Sequence, residues 1–329
     1  MRAVKNLLVL YTGGTIGMLE TPQGLAPAGG FDARMREHLA QCTDAPRLQW
    51  QLRELNPLID SANMQQANWL AMRDAIVEAV EQGGHDGVLV LHGTDTLAYS
   101  AAALSFLLLG LPVPVLLTGS MLPAGAPDSD AWDNLVGALR QFENGLADGV
   151  QLYFHGQLLH GCRASKLRSE AFDAFTAPAR HREGERAAEL PAVLSYCQVR
   201  QPVKLAVLPV FPGLAAEHLN GLLASGIQGL VLECYGSGTG PSDDQALLDA
   251  LHGARQRGVV IVAISQCAEG SVVFDTYAAG SRLRDTGLVS GGGMTREAAL
   301  GKLFALLGAG LDADAAEQWF GLDLCGERA

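Results

Sequence analysis

Positive charge is scarce in this sequence. Across 329 residues, 23 lysines and arginines stand against 35 aspartates and glutamates, a formal charge of -12. Such a chain repels phosphate backbones and anionic lipid, which argues against a nucleic acid or a membrane surface as partner. Aromatic residues make up only 6%, too few for extended stacking platforms. The six cysteines, at positions 42, 162, 197, 234, 267 and 325, are scattered singly, with no C-x-x-C pair and no histidine at metal-ligand spacing. Neither a zinc site nor a disulfide framework is expected from them. Long apolar runs are missing too. The longest, Ala101 to Leu117, is broken by Ser105, Gly110, Pro112 and Pro114, so it reads as a buried helix followed by a strand, not as a membrane span. Met1 to Tyr11 carries no secretory signal pattern, so a cytoplasmic location with reduced thiols is expected.

What is abundant is apolar surface and glycine. Hydrophobic residues are 48% of the chain, enough to offset the entropy of ordering two ordinary domains. The 39 glycines point to tight turns, close backbone approaches and a small ligand. Leu7 to Tyr11, Val88 to Leu91, Val113 to Thr118 and Val150 to Phe154 are apolar on both faces, as strands of a covered parallel sheet are. Between them, Trp69, Met72, Ile76 and Val80 recur at helical spacing, and Leu97 to Leu109 is an almost wholly apolar helix. From about 178 to 202 the pattern fails in a polar, proline-flanked stretch. Beyond it, Leu205 to Val210, Leu230 to Cys234 and Val259 to Ile264 are further buried strands, separated by helical segments near 214–225 and 243–257. The reading is α/β, with two domains at 1–182 and 203–329 joined by a linker at 183–202.

In open parallel sheets ligands bind beyond the carboxyl ends of the strands. Three strand exits carry candidate chemistry. The first is Thr12-Gly13-Gly14-Thr15-Ile16-Gly17, a turn that exposes backbone N–H groups and a hydroxyl. It fits neither a Walker A loop nor a dinucleotide fingerprint. The second is His92-Gly93-Thr94-Asp95-Thr96. Asp95 there is either a helix N-cap or the carboxylate of a nucleophile-activating relay, and His92 is either a base or a packing residue. The third is Thr118-Gly119-Ser120-Met121-Leu122-Pro123. The acidic segment Asp128, Ser129, Asp130 and Asp133 lacks the EF-hand order of ligands and reads as a helix entrance.

The TGGTIG loop and the HGTDT loop about eighty residues later resemble the paired signatures of the bacterial-type L-asparaginase family. Asp60-Ser61, Thr118-Gly119-Ser120, Ser129-Asp130 with Asn134-Leu135, Lys166 ahead of Phe172-Asp173-Ala174-Phe175, and Gly291-Gly292 with Met294-Thr295 extend the resemblance. The form YTGGTIGM is similar to the cytoplasmic type I branch. The resemblance implies a larger flavodoxin-like N-terminal domain and a smaller Rossmann-like C-terminal one, each a mainly parallel sheet flanked by helices. It implies hydrolysis of L-asparagine to L-aspartate and ammonia, with no metal or organic cofactor. Thr15 would be the nucleophile, and Thr94, Asp95 and Lys166 the relay. The Thr94 N–H would be an oxyanion donor, with Ser120 close to the leaving amide. Asp60, Ser61 and Asp95 would hold the substrate's α-amino and α-carboxylate groups. A homodimer, usually paired into a tetramer, comes with the family.

Three positions depart from the family pattern. Leu25 stands where many members carry a catalytic lid tyrosine, and Tyr11 is not an obvious substitute. Thr239 stands where an asparagine commonly reaches a neighbour's site, and Glu233 where allosteric type I members tend to carry arginine. Rival readings are a binding module without catalysis, an amidohydrolase preferring glutamine or a related amide, and an amidase subunit acting on charged transfer RNA. The acidic charge and the position of the first motif speak against the last.

Overall fold

A computed structural model describes residues 4–22, 24–177 and 185–328. The chain divides into two compact units, 1–177 and 178–329. Residues 183 and 184, where the linker was expected to begin, lie outside the described residues, as do Pro178 and the charged run that follows it. Residues 185–202 fall in the second unit, and Arg200 among them is 2% exposed.

The first unit runs β1 (Asn6–Gly13), β2 (Leu19–Thr21), β3 (Gly24–Ala26), α1 (Phe31–Gln41), β4 (Gln49–Ile59), α2 (Gln66–Glu81), β5 (Gly87–Leu91), α3 (Leu97–Leu107), β6 (Pro114–Thr118), α4 (Ala131–Glu143), β7 (Gly149–Phe154), β8 (Gln157–His160), β9 (Ser165–Lys166) and β10 (Phe175–Thr176). Its main sheet has the order β4-β1-β5-β6-β7-β8, parallel throughout except for the closing β7–β8 hairpin. Alternation splits the buried side chains between two layers. Leu7, Val9 and Tyr11 of β1 join Leu89 and Leu91 of β5 against Phe31 and Met35 of α1 and Leu135, Leu139 and Phe142 of α4. Strand β4 was not anticipated from sequence. It is an edge strand with one neighbour, its side chains exposed or half-buried, and QWQLRELNPLI shows no continuous apolar run.

In chain order the five parallel strands lie second, first, third, fourth, fifth. The order therefore reverses beside β1, and the loops leaving β1 and β5 diverge to opposite faces of the sheet. This leaves a crevice at their carboxyl ends, the switch point of a flavodoxin-like sheet.

The second unit runs β11 (Leu205–Pro209), α5 (Ala216–Ala224), β12 (Gly229–Cys234), α6 (Gln245–Gln256), β13 (Val260–Ser265), α7 (Ala278–Asp285), β14 (Val289–Ser290), α8 (Arg296–Gly308) and α9 (Ala313–Gly321). The strands are all parallel and lie in chain order, β11-β12-β13-β14. Asp244, Thr295 and Asp312 cap α6, α8 and α9 by accepting the N–H groups of Leu247, Ala298 and Ala315, which satisfies donors the helices cannot pair internally. The two residues of β14 are too short a run to show a period in the sequence. No helix among the described residues is long and apolar enough to cross a membrane.

Candidate active site

Four loops of the first unit meet at the switch point because glycine lets their backbones touch. Gly14, at φ +88°, lies so close to the β5 exit that a Cβ there would come within 2.3 Å of the Gly93 nitrogen. A Cβ on Gly93 would meet Ser61 Oγ at 2.4 Å, and one on Gly119 the carbonyl of His92 at 2.2 Å. The Thr15 turn, the Ser61 turn and the exits of β5 and β6 are thus in direct contact, and any side chain at these glycines would pry them apart. Thr12 Oγ1 adds a bond to the Leu91 carbonyl at 2.9 Å, and Thr96 Oγ1 one to the Ser61 carbonyl at 2.9 Å.

Thr15 opens a single helical turn, Thr15–Gly17, and is part-exposed. Lys166 reaches the β5 exit from β9, which pairs antiparallel with β10. Its Nζ donates to Thr94 Oγ1 at 2.9 Å and to Asp95 Oδ1 at 2.8 Å. The Lys166 side chain is 20% exposed and that of Asp95 61%, so the ammonium is largely withdrawn from water while its carboxylate partner faces out. Among the described residues Thr15 makes no hydrogen bond to Thr94 or Lys166; the fold joins Thr94, Asp95 and Lys166 and packs the loop that carries Thr15 against the β5 exit through Gly14 and Gly93.

Ser61 is buried in the turn Ser61–Asn63, and the exposed Asp60 caps that turn by accepting Ala62 N–H at 3.2 Å. The buried Ser120 donates its hydroxyl to the Leu122 carbonyl at 2.6 Å. Asp130 accepts the N–H groups of Met121 and Leu122, and Asn134 Nδ2 donates both to Asp130 and to the Gly119 carbonyl. The acidic segment therefore braces the loop bearing Ser120.

His92 cannot serve as the base. It is fully buried; Nδ1 lies 2.7 Å from the Gly93 carbonyl and Nε2 2.8 Å from Ser100 Oγ, which in turn accepts Trp69 Nε1–H at 2.9 Å. Burial pushes its pKa down to about 4, so the ring is neutral near pH 7 with both nitrogens engaged. Trp69 and Ser100, 31 residues apart, carry no local sign of this association.

Tyr11 is also part of the core. It stacks on Phe31 with centroids 5.2 Å apart, donates to the Ala28 carbonyl at 3.2 Å, and is pushed up to about 12 by burial. Leu25 sits half exposed on the β2–β3 hairpin opposite Glu20; Gln23, two positions before it, lies outside the described residues. In the second unit, Thr239 Oγ1 turns back to the Tyr235 carbonyl at 3.4 Å. The buried Glu233, at the end of β12, is held by Arg296 through Nε and Nη2 at 2.5 and 2.9 Å.

Comparison with known proteins agrees with this architecture. Residues 6–190 match the model of the asparaginase N-terminal domain, and residues 204–320 that of the glutaminase/asparaginase C-terminal domain. The chain is 34% identical to L-asparaginase 1 of Escherichia coli K12, covering 98% of each chain. It is 36% identical to the human 60 kDa lysophospholipase, over 98% of this chain and 61% of that protein. The structure superposes on that of L-asparaginase I from Vibrio cholerae with a TM-score of 0.86 and 32% identity, covering 99% of this chain and 100% of the other. The chain belongs to the asparaginase family, as an enzyme of the L-asparaginase type.

Proposed function

We propose that the protein hydrolyses the side-chain amide of L-asparagine to L-aspartate and ammonia through a covalent intermediate on Thr15. A threonine hydroxyl is protonated near neutral pH and an amide carbonyl is a poor electrophile, so the site must remove a proton and stabilise an oxyanion. In the proposed reaction Thr15 Oγ1 attacks the amide carbon and its proton passes toward the Thr94–Lys166 pair. The tetrahedral oxyanion is held by the Thr94 N–H, the C–N bond breaks, and the nitrogen leaves as ammonia after receiving a proton. Water then cleaves the aspartyl ester and restores Thr15. Asp95 orients Lys166 by accepting a hydrogen bond from its Nζ at 2.8 Å. Asp60, Ser61 and Asp95 hold the substrate's charged groups, with carboxylate on ammonium and hydroxyl on carboxylate, and Ser120 lies near the leaving amide.

The observation that carries this reading is Lys166 Nζ within hydrogen-bond distance of both Thr94 and Asp95, next to a loop that presents a part-exposed threonine. The deciding experiment is steady-state ammonia release from L-asparagine, D-asparagine and L-glutamine. L-asparagine is expected to have the highest kcat/KM. The margin over glutamine is modest, because one methylene in a pocket is worth about 1–3 kcal/mol. Ligand-induced stabilisation without turnover would favour a binding module instead. We place the enzyme in the cytoplasm as a homodimer or a homotetramer, which light scattering tests.

A further inference from the structure

The amide-hydrolysis reading needs the Thr94 N–H aimed at the developing oxyanion, and a backbone N–H has no side-chain torsions of its own to aim it. Its direction is set by the peptide plane it belongs to. In a trans peptide the carbonyl of one residue and the N–H of the next point in opposite directions, so whatever holds the Gly93 carbonyl fixes the Thr94 N–H. In this fold the group that holds it is His92 Nδ1, at 2.7 Å.

We infer that His92 is a positioning residue, which aims the Thr94 amide by donating its Nδ1–H to the Gly93 carbonyl. The inference rests on the amide-hydrolysis reading of the site. The ring itself is locked from behind. Ser100 Oγ–H donates to Nε2 at 2.8 Å, and Trp69 Nε1–H donates to Ser100 Oγ at 2.9 Å. This chain leaves Nε2 as acceptor and Nδ1 as donor, the tautomer the Gly93 carbonyl requires. All three side chains are buried, at 0%, 0% and 7% exposure, so water does not compete for any of the bonds. Neutrality near pH 7 follows from that burial, which holds the imidazole near pKa 4. The arrangement also needs residue 93 to be glycine, since the Gly93 backbone is pressed between Ser61 and Gly14. A nearby parallel is the Asn134 amide, which donates to the Gly119 carbonyl at 3.0 Å and fixes the peptide that carries the Ser120 N–H.

Two substitutions separate aiming from packing. Asparagine places its amide where Nδ1 lies, so His92→Asn keeps the donor to Gly93. Glutamine places its amide where Nε2 lies, so His92→Gln keeps the contact with Ser100 and loses the donor. For His92→Gln, kcat is expected to fall about 10- to 100-fold at nearly constant KM, because an oxyanion donor acts in the transition state. For His92→Asn, kcat is expected to stay within about threefold of the parent enzyme. Equal kcat values for the two variants, or a change confined to KM, would overturn the assignment. Crystal structures of both variants supply a readout independent of turnover. The Gly93–Thr94 peptide is expected to keep its orientation in His92→Asn and to rotate in His92→Gln, and an unmoved peptide in both contradicts the inference. Loss of ammonia release from the parent enzyme would refute the amide-hydrolysis reading, and the peptide orientation would still decide for or against His92. Ser100→Ala, which removes the donor to Nε2 while keeping the ring, is expected to lower kcat in the same direction if His92→Gln proves too unstable to purify.

Discussion

The two sheets are built alike and differ in one topological respect. Both are parallel, apart from the β7–β8 hairpin that closes the first, and both bury their central strands, yet the first reverses its strand order beside β1 and the second runs straight from β11 to β14. A straight order sends every connection the same way and leaves no crevice at a switch point, whereas a reversal opens one. The buried polar groups follow that difference. In the first unit they sit at strand exits and hold backbone: His92 on Gly93, Asn134 on Gly119, Asp130 on Met121 and Leu122. In the second, one group of them holds the C-terminal segment. Lys302 is fully buried and donates to the carbonyls of Phe320 and Leu322 and to Glu327 Oε1. Glu327 also accepts the N–H groups of Leu324 and Cys325. One set braces the loops of the candidate site, the other holds the C-terminal segment in place.

The comparison breaks if variants in the two units have interchangeable effects. Thr15→Ala is expected to have the largest effect on rate, lowering kcat by about 10⁴-fold with the melting temperature unchanged, as read by ammonia release and calorimetry. Next is Lys302→Met, which strands a buried carboxylate and should destabilise the second unit by about 3–5 kcal/mol, seen in the urea midpoint, with kcat per folded molecule preserved. The same unit should respond to acid. Burial opposes the charge on Glu327, but Lys302, Asp323 and the Cys325 N–H outweigh it and hold its pKa at about 2. Its contribution is therefore complete above the unfolded value near 4.5 and is lost as pH falls toward 2, a slope that Glu327→Gln should flatten.

His92 titrates in the opposite unit and over a different range. Because its folded pKa lies near 4 and its unfolded value near 6.5, the unfolded chain binds the extra proton between them. Stability of the first unit should therefore rise with pH across that interval, by about 3 kcal/mol in all. Urea midpoints at pH 4 to 7 measure this, and His92→Asn should remove the slope. The smallest effect is expected at Leu25. It is half exposed on the β2–β3 hairpin, so Leu25→Tyr should change stability by less than about 0.5 kcal/mol and raise kcat, since a phenol on that hairpin can donate or relay a proton.

Much of the fold was legible because covered parallel strands are apolar on both faces, and β1, β5, β6, β7, β12 and β13 announce themselves that way; β11 was read as a buried strand too, but it lies at the sheet edge and its side chains are half-buried or exposed. Strand β4 did not, because an edge strand that is half solvated needs no apolar run, and β14 is too short to show a period. The candidate site was legible only in pieces. Glycine-rich strand exits mark where backbones can approach, but the separation of 72 positions from Thr94 to Lys166 hides the contact that the sheet and β9 create. Likewise, nothing in the sequence near His92 says whether its ring is a base or a brace. Only the burial of Ser100 and Trp69 behind it decides that.

The covalent route through Thr15 is the centre of the account, and acid-quenched turnover tests it most directly. Enzyme mixed with saturating L-asparagine, quenched within the first turnovers and mapped by peptide mass spectrometry, is expected to carry one aspartyl group in ester linkage on Thr15. The adduct should be absent from Thr15→Ala. An aspartyl ester on Thr94 or on any residue of the second unit, or full turnover by Thr15→Ala, would contradict it.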